Sequence, residues 1–245
     1  MRNIKKGYGL KILLLKLSII LCFTNVVYSF SEQTLRVPLS LQDANVIFYG
    51  KLSSGEEVNI FQLTRRNLKR YINSILKMPR EETNTAQSRT ALCNFLQDYI
   101  DNSITYIAIV DDEVIGLCFS IIKREKGWFK NSKSKKEFLY LWRFEVVNKY
   151  RNQGIGNIFL WLIADGAERK NISTIRVEAE PEYAADFLWK RGFRDDRRFV
   201  PWYYINLKAK VSVVKKILRK IGKSNYPSRD KRQLNLFANF CRSYI

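Results

Sequence analysis

The chain has 245 residues, enough for one domain with extensions, and at 46% apolar and 13% aromatic it is not composed like a disordered polymer. Lys and Arg number 43 against 23 Asp and Glu; the formal charge of +20 and an isoelectric point near 9.9 point to anionic partners, whether phosphate-bearing small molecules, acidic lipid or nucleic acid. With no histidine anywhere, histidine bases, histidine-activated nucleophiles and histidine-held metals are excluded.

The N-terminus carries Arg2, Lys5, Lys6 and Lys11 ahead of an apolar run from Ile12 to Phe23, with Val27 and Ser29 at the two positions a signal peptidase reads. Residues 1–30 therefore read as a signal peptide or a short membrane anchor, although Lys16 and the shortness of the run also fit an amphipathic leader. Residues 31–56 form a turn-rich connection with a short strand near 45–49. A strand is expected over 58–63, and Thr64 can cap a helix over 65–76 with Leu68, Ile72 and Ile75 on one face. A polar connection at 80–84 leads to a second helix over 85–102, marked by Leu92, Phe95, Leu96 and Ile100. Strands at 105–110 and 114–122 make a hairpin around Asp111-Asp112, a pair better explained as a solvated turn than as a carboxylate site. A basic loop, 123–136, follows, and its Trp128-Phe129 could cover an acceptor. Cys93 and Cys118 sit in apolar runs and read as small hydrophobes; with Cys22 and Cys241 they have no metal-ligand spacing.

The richest stretch begins with an apolar strand over 138–147. Asn148-Lys149-Tyr150 then leads into Arg151-Asn152-Gln153-Gly154-Ile155-Gly156, and a densely apolar helix begins at Asn157. Glycines between a strand end and a helix start let the backbone approach a ligand closely, and the free N–H groups and positive dipole end of the helix favour a phosphate there. The cradle falls to Gln153, Gly154, Ile155, Gly156 and Asn157, with Asn152 in the same turn and with Arg151 and Lys149 as mobile positive charge. Asn171 suits a left-handed helix cap. A strand over 174–180 and a helix over 182–191, opened by Pro181 and stopped by Gly192-Phe193, come next. After a charged turn at 194–198, a closing strand is expected over 200–207, a basic amphipathic helix over 208–223, and a loosely ordered basic end over 224–245.

The blocks 144–156, Phe-Glu-Val-Val-Asn-Lys-Tyr-Arg-Asn-Gln-Gly-Ile-Gly, and 184–193, Ala-Ala-Asp-Phe-Leu-Trp-Lys-Arg-Gly-Phe, resemble the GNAT superfamily of acyl-CoA-dependent N-acyltransferases, and upstream elements extend the likeness over 57–207. The likeness implies a mixed α/β fold with a mostly antiparallel central sheet flanked by helices. It implies acetyl-CoA or another acyl-CoA as co-substrate, no metal, and direct attack of an amine on the thioester. Backbone groups of Phe144 and Val146 would hold the pantetheine arm, and a backbone N–H there would polarise the thioester carbonyl. Glu145 is the best-placed proton acceptor by sequence, with Glu178 and Glu180 as alternatives. Strict alternation sets Glu145 on the face opposite Tyr140, Trp142, Phe144 and Val146, where a salt bridge with Arg143 is the bland explanation. A bulge, common in this strand of the family, would re-aim it.

Two positions depart from the family pattern. Leu188 stands where many members carry the tyrosine that protonates the leaving thiolate, and Pro181 where an asparagine often touches the cofactor. Tyr183 and Tyr140 are possible substitutes. Three functions stay open at this point: acyl transfer to an unknown amine, a non-catalytic CoA-binding or membrane-associated protein of the same fold, and a basic nucleic-acid-binding protein. Cofactor supply favours the cytosol, or a tether facing it; the leader suggests export. An anionic membrane contact would run through the leader or the basic tail.

Overall fold

The computed structural model describes residues 46–78, 86–125, 136–179, 182–196, 205–223 and 231–244, all within the unit Asp43–Ile245. The leader, Trp128-Phe129, Glu180, Pro181 and the side chain of Tyr183 lie outside the described residues.

The chain opens with two antiparallel strands, β1 (Val46–Lys51) and β2 (Glu57–Gln62), joined by a turn containing Ser53, Ser54 and Glu56. Two helices follow, α1 (Arg65–Lys77) and α2 (Ala86–Tyr99). At the start of α1 the N–H of Thr64 donates to Oδ1 of Asn67 at 2.7 Å, and the helix buries Leu68, Tyr71 and Ile75. A short 3₁₀ turn, Ile100–Asn102, ends the second helix three residues before the limit its apolar spacing suggests. Strands β3 (Ser103–Val110) and β4 (Glu113–Arg124) form the expected hairpin. Asp111 and Asp112 occupy its turn at φ 48 and 63, exposed, as the left-handed geometry of a tight hairpin requires.

Strand β5 (Glu137–Val146) then pairs with β4, and α3 (Ile155–Arg169) crosses over to β6 (Thr174–Ala179). The rest is α4 (Glu182–Trp189), β7 (Arg194–Asp195), β8 (Ile205–Lys210), α5 (Val211–Lys223) and α6 (Lys231–Tyr244). The sheet has eight strands in the order β1-β2-β3-β4-β5-β6-β8-β7. All neighbours are antiparallel except β5 and β6, which the α3 crossover makes parallel. Helix α3 is the centre of the core: eleven of its fifteen residues, from Ile155 to Ala167, are buried against the sheet on one side and α5 and α6 on the other. That is why its sequence lacks a polar stripe.

The C-terminal third differs from the sequence expectation in two ways. Lys208–Lys210 extend β8 along β6, so the basic helix begins at Val211. Val213 stays exposed and Ile217 and Ile221 are half-buried, while the apolar face of the helix docks on the domain through Val211, Val214 and Leu218. Lys215 is buried with them because Nζ meets Oδ1 of Asp165 at 2.9 Å and Oε2 of Glu168 at 2.5 Å on α3. Burial by itself would lower its pKa, but the two carboxylates outweigh that and raise it. Lys216, Arg219, Lys220 and Lys223 stay outward around an open cavity of about 510 Å³. The second correction concerns residues 231–244, which form a helix where a loose end is expected. Leu236, Phe237 and Phe240 are buried, and Phe240 meets Phe48 of β1 edge-on at 5.3 Å. Burying each such side chain is worth roughly 1.5–3 kcal/mol. The edge strand β1, α3 and α5 together supply the surface, so local pattern does not reveal it. Among the described residues no helix is long and apolar enough to cross a membrane.

Candidate active site

Strands β5 and β6 pair over three residues only, Leu139 to Leu141 against Ile175 to Val177, although β5 runs on to Val146 and β6 to Ala179. The two parallel strands therefore part beyond Leu141 and leave a wedge-shaped gap. The N–H of Val147 donates to the carbonyl of Ile115 on β4 at 2.8 Å. Main-chain groups alternate along an extended strand, so those of Phe144 and Val146 face away from β4, into the gap. Nε of Arg151 donates to the carbonyl of Val146 at 3.0 Å and marks the open end.

A bulge decides which side chains flank this gap. Arg143 pairs with Phe119 and Leu141 with Ser120, so Trp142 is an extra residue in β5. The even alternation expected from sequence breaks there. Tyr140, Arg143 and Glu145 lie opposite Ile121, Phe119 and Leu117, on the sheet face covered by α2. Trp142 joins them, stacked on Phe95 with centroids 4.2 Å apart. Phe144 and Val146 take the α3 face instead, where Phe144 meets Phe159 edge-on and Phe187 at 5.6 Å. Glu145 is thus re-aimed onto the same face as Tyr140. Its side chain is 23% exposed and holds Nη1 of Arg143 at 2.8 Å, the salt bridge foreseen from spacing.

At the open end the chain turns through Asn148–Tyr150 and the glycine loop. Asn152 at φ 63 and Gly154 at φ 93 are both left-handed, and Gly154 caps α3. Ile155 and Gly156 are the first-turn residues whose N–H groups no carbonyl of the helix can reach, so they point at whatever stands before the helix. Asn157 does not join them: its N–H returns to the carbonyl of Gly154 at 3.0 Å. Its side chain is buried, and Oδ1 accepts from Nε of Arg191 at 2.8 Å. The two cations expected to be mobile are also tied. Arg151 is on Val146, and Lys149 Nζ lies 3.3 Å from Oε1 of Glu56, which the Tyr150 hydroxyl also meets at 3.2 Å. Ser54 foremost, then Lys149 and Tyr150, hold the Glu56 carboxyl below the usual carboxylate range. Oε1 of Gln153 accepts from both the N–H and the hydroxyl of Ser53, at 3.1 and 3.0 Å.

Ser53, Glu56 and Arg191 are therefore site-building residues that sequence reasoning misses. The turn between β1 and β2 buttresses the glycine loop from about a hundred residues away, and no local signal announces that. Arg191 clamps α4 to α3. Besides Asn157 it donates to the carbonyl of Phe187 at 2.9 Å and lies 3.6 Å over the Phe187 ring, and burial pushes its pKa down to about 10. Leu188 is 2% exposed and packs in the core, and the Phe193 N–H closes the end of α4 on its carbonyl. A tyrosine could not replace it without overpacking. On the α2 side of the gap's closed end, Nζ of Lys123 sits 3.8 Å above the Tyr140 ring. Glu178 on β6 is exposed.

Residues 69–193, more than half of the chain, match the family model described as acetyltransferase (GNAT) family. The chain belongs to the GNAT acetyltransferase family. Membership places its chemistry in acyl transfer from coenzyme A. Solved structures with the same fold include the GNAT domain of S. lividans PAT, 14% identical, covering 66% of this chain and 96% of that chain at a TM-score of 0.50. PaiA N-acetyltransferase from Thermoplasma acidophilum in complex with coenzyme A is 14% identical, over 62% of this chain and 98% of that one, at 0.46. A chain of the NatC complex bound to Gag peptide and CoA is 21% identical over 62% and 98%, at 0.48. No curated protein matches the chain. In this GNAT chain the usual tyrosine position, Leu188, is a core position.

Proposed function

We propose that this GNAT chain transfers an acyl group, acetyl in the first instance, from CoA to an amine by direct attack in a ternary complex. The observation that carries the reading is the gap between β5 and β6, edged by the main-chain groups of Phe144 and Val146 and ending at the left-handed Gly154 and the open first turn of α3. These residues fit a phosphopantetheine arm: an unpaired strand edge for its amides, and Gly154, Ile155 and Gly156 at the helix N-terminus for its diphosphate. Gln153 and Asn152 shape the turn, and Asn157 supports it from behind through Arg191. Arg151 reaches the diphosphate by releasing the Val146 carbonyl, a rearrangement that also frees that carbonyl for the arm. Bound acyl-CoA supplies the activated carbonyl, and a strand-edge N–H stabilises the charge that develops on it.

An alkyl amine with a pKa near about 10 must lose a proton to attack. Glu145, which the bulge turns to the α2 face, takes that proton directly or through water. With Leu188 packed away, water protonates the leaving thiolate. Titration calorimetry with acetyl-CoA and with desulfo-CoA tests the cofactor part: both should bind, and failure of both to bind refutes the reading. Thiol release with a panel of amines then tests turnover. A second reading, a CoA-binding chain without turnover, draws on the buried Leu188 and on the carboxylate of Glu145 held by Arg143. Binding without thiol release from any amine would select it.

A further inference from the structure

Lys123 lies at the closed end of the gap. Pairing between β5 and β6 stops at Leu141, and Tyr140, one residue earlier, carries the Lys123 ammonium on its ring at 3.8 Å. Both side chains are on the α2 face, the face to which the bulge turns Glu145. From Leu141 to Val146 the open edge runs about 16 Å at ~3.3 Å per residue, a length that an extended phosphopantetheine arm anchored at the helix N-terminus spans. The acyl end of such an arm would arrive at the closed end, next to Tyr140, whose ring carries this lysine on the α2 face.

Among the described residues, the other charged groups near Lys123 are engaged elsewhere. Arg124 is engaged by Glu137 at 2.8 Å. Arg176 is engaged by Glu125 and by Asp196, and Asp196 also takes Lys208 at 2.9 Å. Glu178 acts on Lys123 only at a distance. Partial burial of the ammonium lowers its pKa below that of an ordinary lysine, against the weaker opposing pull of Glu178, so a larger share of it is the neutral amine at a given pH.

We propose that Lys123 is itself an acceptor: the chain acylates its own Lys123 from acyl-CoA bound in the gap between β5 and β6. The proposal rests on the CoA reading given above. The ammonium first loses a proton to water; neutral Nζ then attacks the thioester carbonyl carbon. The C–N bond forms, the C–S bond breaks, the nitrogen gives up its second proton to solvent, and the thiolate takes one up to leave as the free thiol. The products are an amide on Lys123 and CoA. The charge over Tyr140 is erased, and the mouth through which an external amine would enter is altered.

The test uses the full chain incubated with acetyl-CoA, followed by proteolysis and mass spectrometry, with calorimetry of acetyl-CoA in parallel. Lys123 should be acetylated at least tenfold faster than the exposed Lys216 and Lys220. Its first-order rate should not depend on chain concentration, and excess CoA should suppress it. Lys123→Arg should remove that modification and leave acetyl-CoA affinity unchanged. Acetyl-CoA bound by calorimetry with Lys123 unmodified, or modified no faster than the exposed lysines and indifferent to CoA, overturns the inference and leaves the CoA reading standing. No heat of binding at all overturns both.

Discussion

The two loop glycines make separable demands, and replacing each with alanine tells ligand approach from protein packing. Gly154 sits at φ 93, where most residues with a Cβ are strained. Gly154→Ala should destabilise the fold by about 1–2 kcal/mol, and Gly154→Asn should recover part of that because asparagine tolerates the left-handed region. Gly156 has ordinary helical geometry. A Cβ there would lie 3.1 and 3.4 Å from the Phe187 ring and 3.6 Å from Phe144, so the Phe187 ring must yield by a few tenths of an ångström. Alanine is favoured over glycine inside a helix by up to about 1 kcal/mol, which offsets that strain, and Gly156→Ala should change stability by no more than about 1 kcal/mol. Its new methyl nevertheless stands at the helix N-terminus, where the diphosphate must come close. The expected result is near-normal urea unfolding with CoA affinity reduced at least tenfold, about 1.4 kcal/mol. A Gly156→Ala chain that unfolds normally and still binds CoA with unchanged affinity would refute the cradle.

Other outcomes can be measured independently. Phe240→Ala removes a ring packed between Phe48 and Phe237 and should cost about 3–5 kcal/mol in denaturant unfolding; a loss under 1 kcal/mol would mean that the last helix contributes little to the domain. Burial pushes the Tyr106 hydroxyl up to about 12, above the 10.0 of a free tyrosine. Its contribution is complete below pH 10, where both states are protonated, and is lost as pH rises from about 10 to 12 and the unfolded chain alone ionises, a fall of roughly 2–3 kcal/mol. Tyr106→Phe should flatten that alkaline fall, and an unchanged pH profile of stability would contradict it. Glu145→Gln should slow acyl transfer by about 10²-fold or more with acetyl-CoA affinity intact; turnover unchanged across pH removes Glu145 from the reaction. Lys215→Met leaves Asp165 and Glu168 without their shared cation and should lower the unfolding midpoint, with Asp165 still paired to Arg169 limiting the loss to about 1–3 kcal/mol.

Periodicity and punctuation were enough to read the elements from β2 through α4, because each is written in its own residues: alternation in β3 and β4, Asp111-Asp112 at the hairpin, Asn171 at φ 57 after α3, and Gly192 at φ 93 after α4. Gly154 and Gly156 likewise announce the loop, since a left-handed cap and an open first turn need glycine whatever surrounds them. The family likeness rests on the same short segments, which is why it too is legible in the chain alone.

Long-range packing decided the rest. The sequence does not say where β5 leaves β6, since strand separation depends on pairing across the sheet. Nor does it place the bulge at Trp142, which depends on how β4 pairs and which sends Glu145 to one face and Phe144 to the other. Lys149 and Arg151 look free in sequence and are tied in three dimensions by Glu56 and by Val146. Leu236, Phe237 and Phe240 look like a stray apolar tail until β1, α3 and α5 provide the surface that buries them. Local chemistry thus fixed which segments are strand, helix and phosphate loop; the partners each side chain found, and hence the shape and charge of the site, came from contacts between residues a hundred or more positions apart.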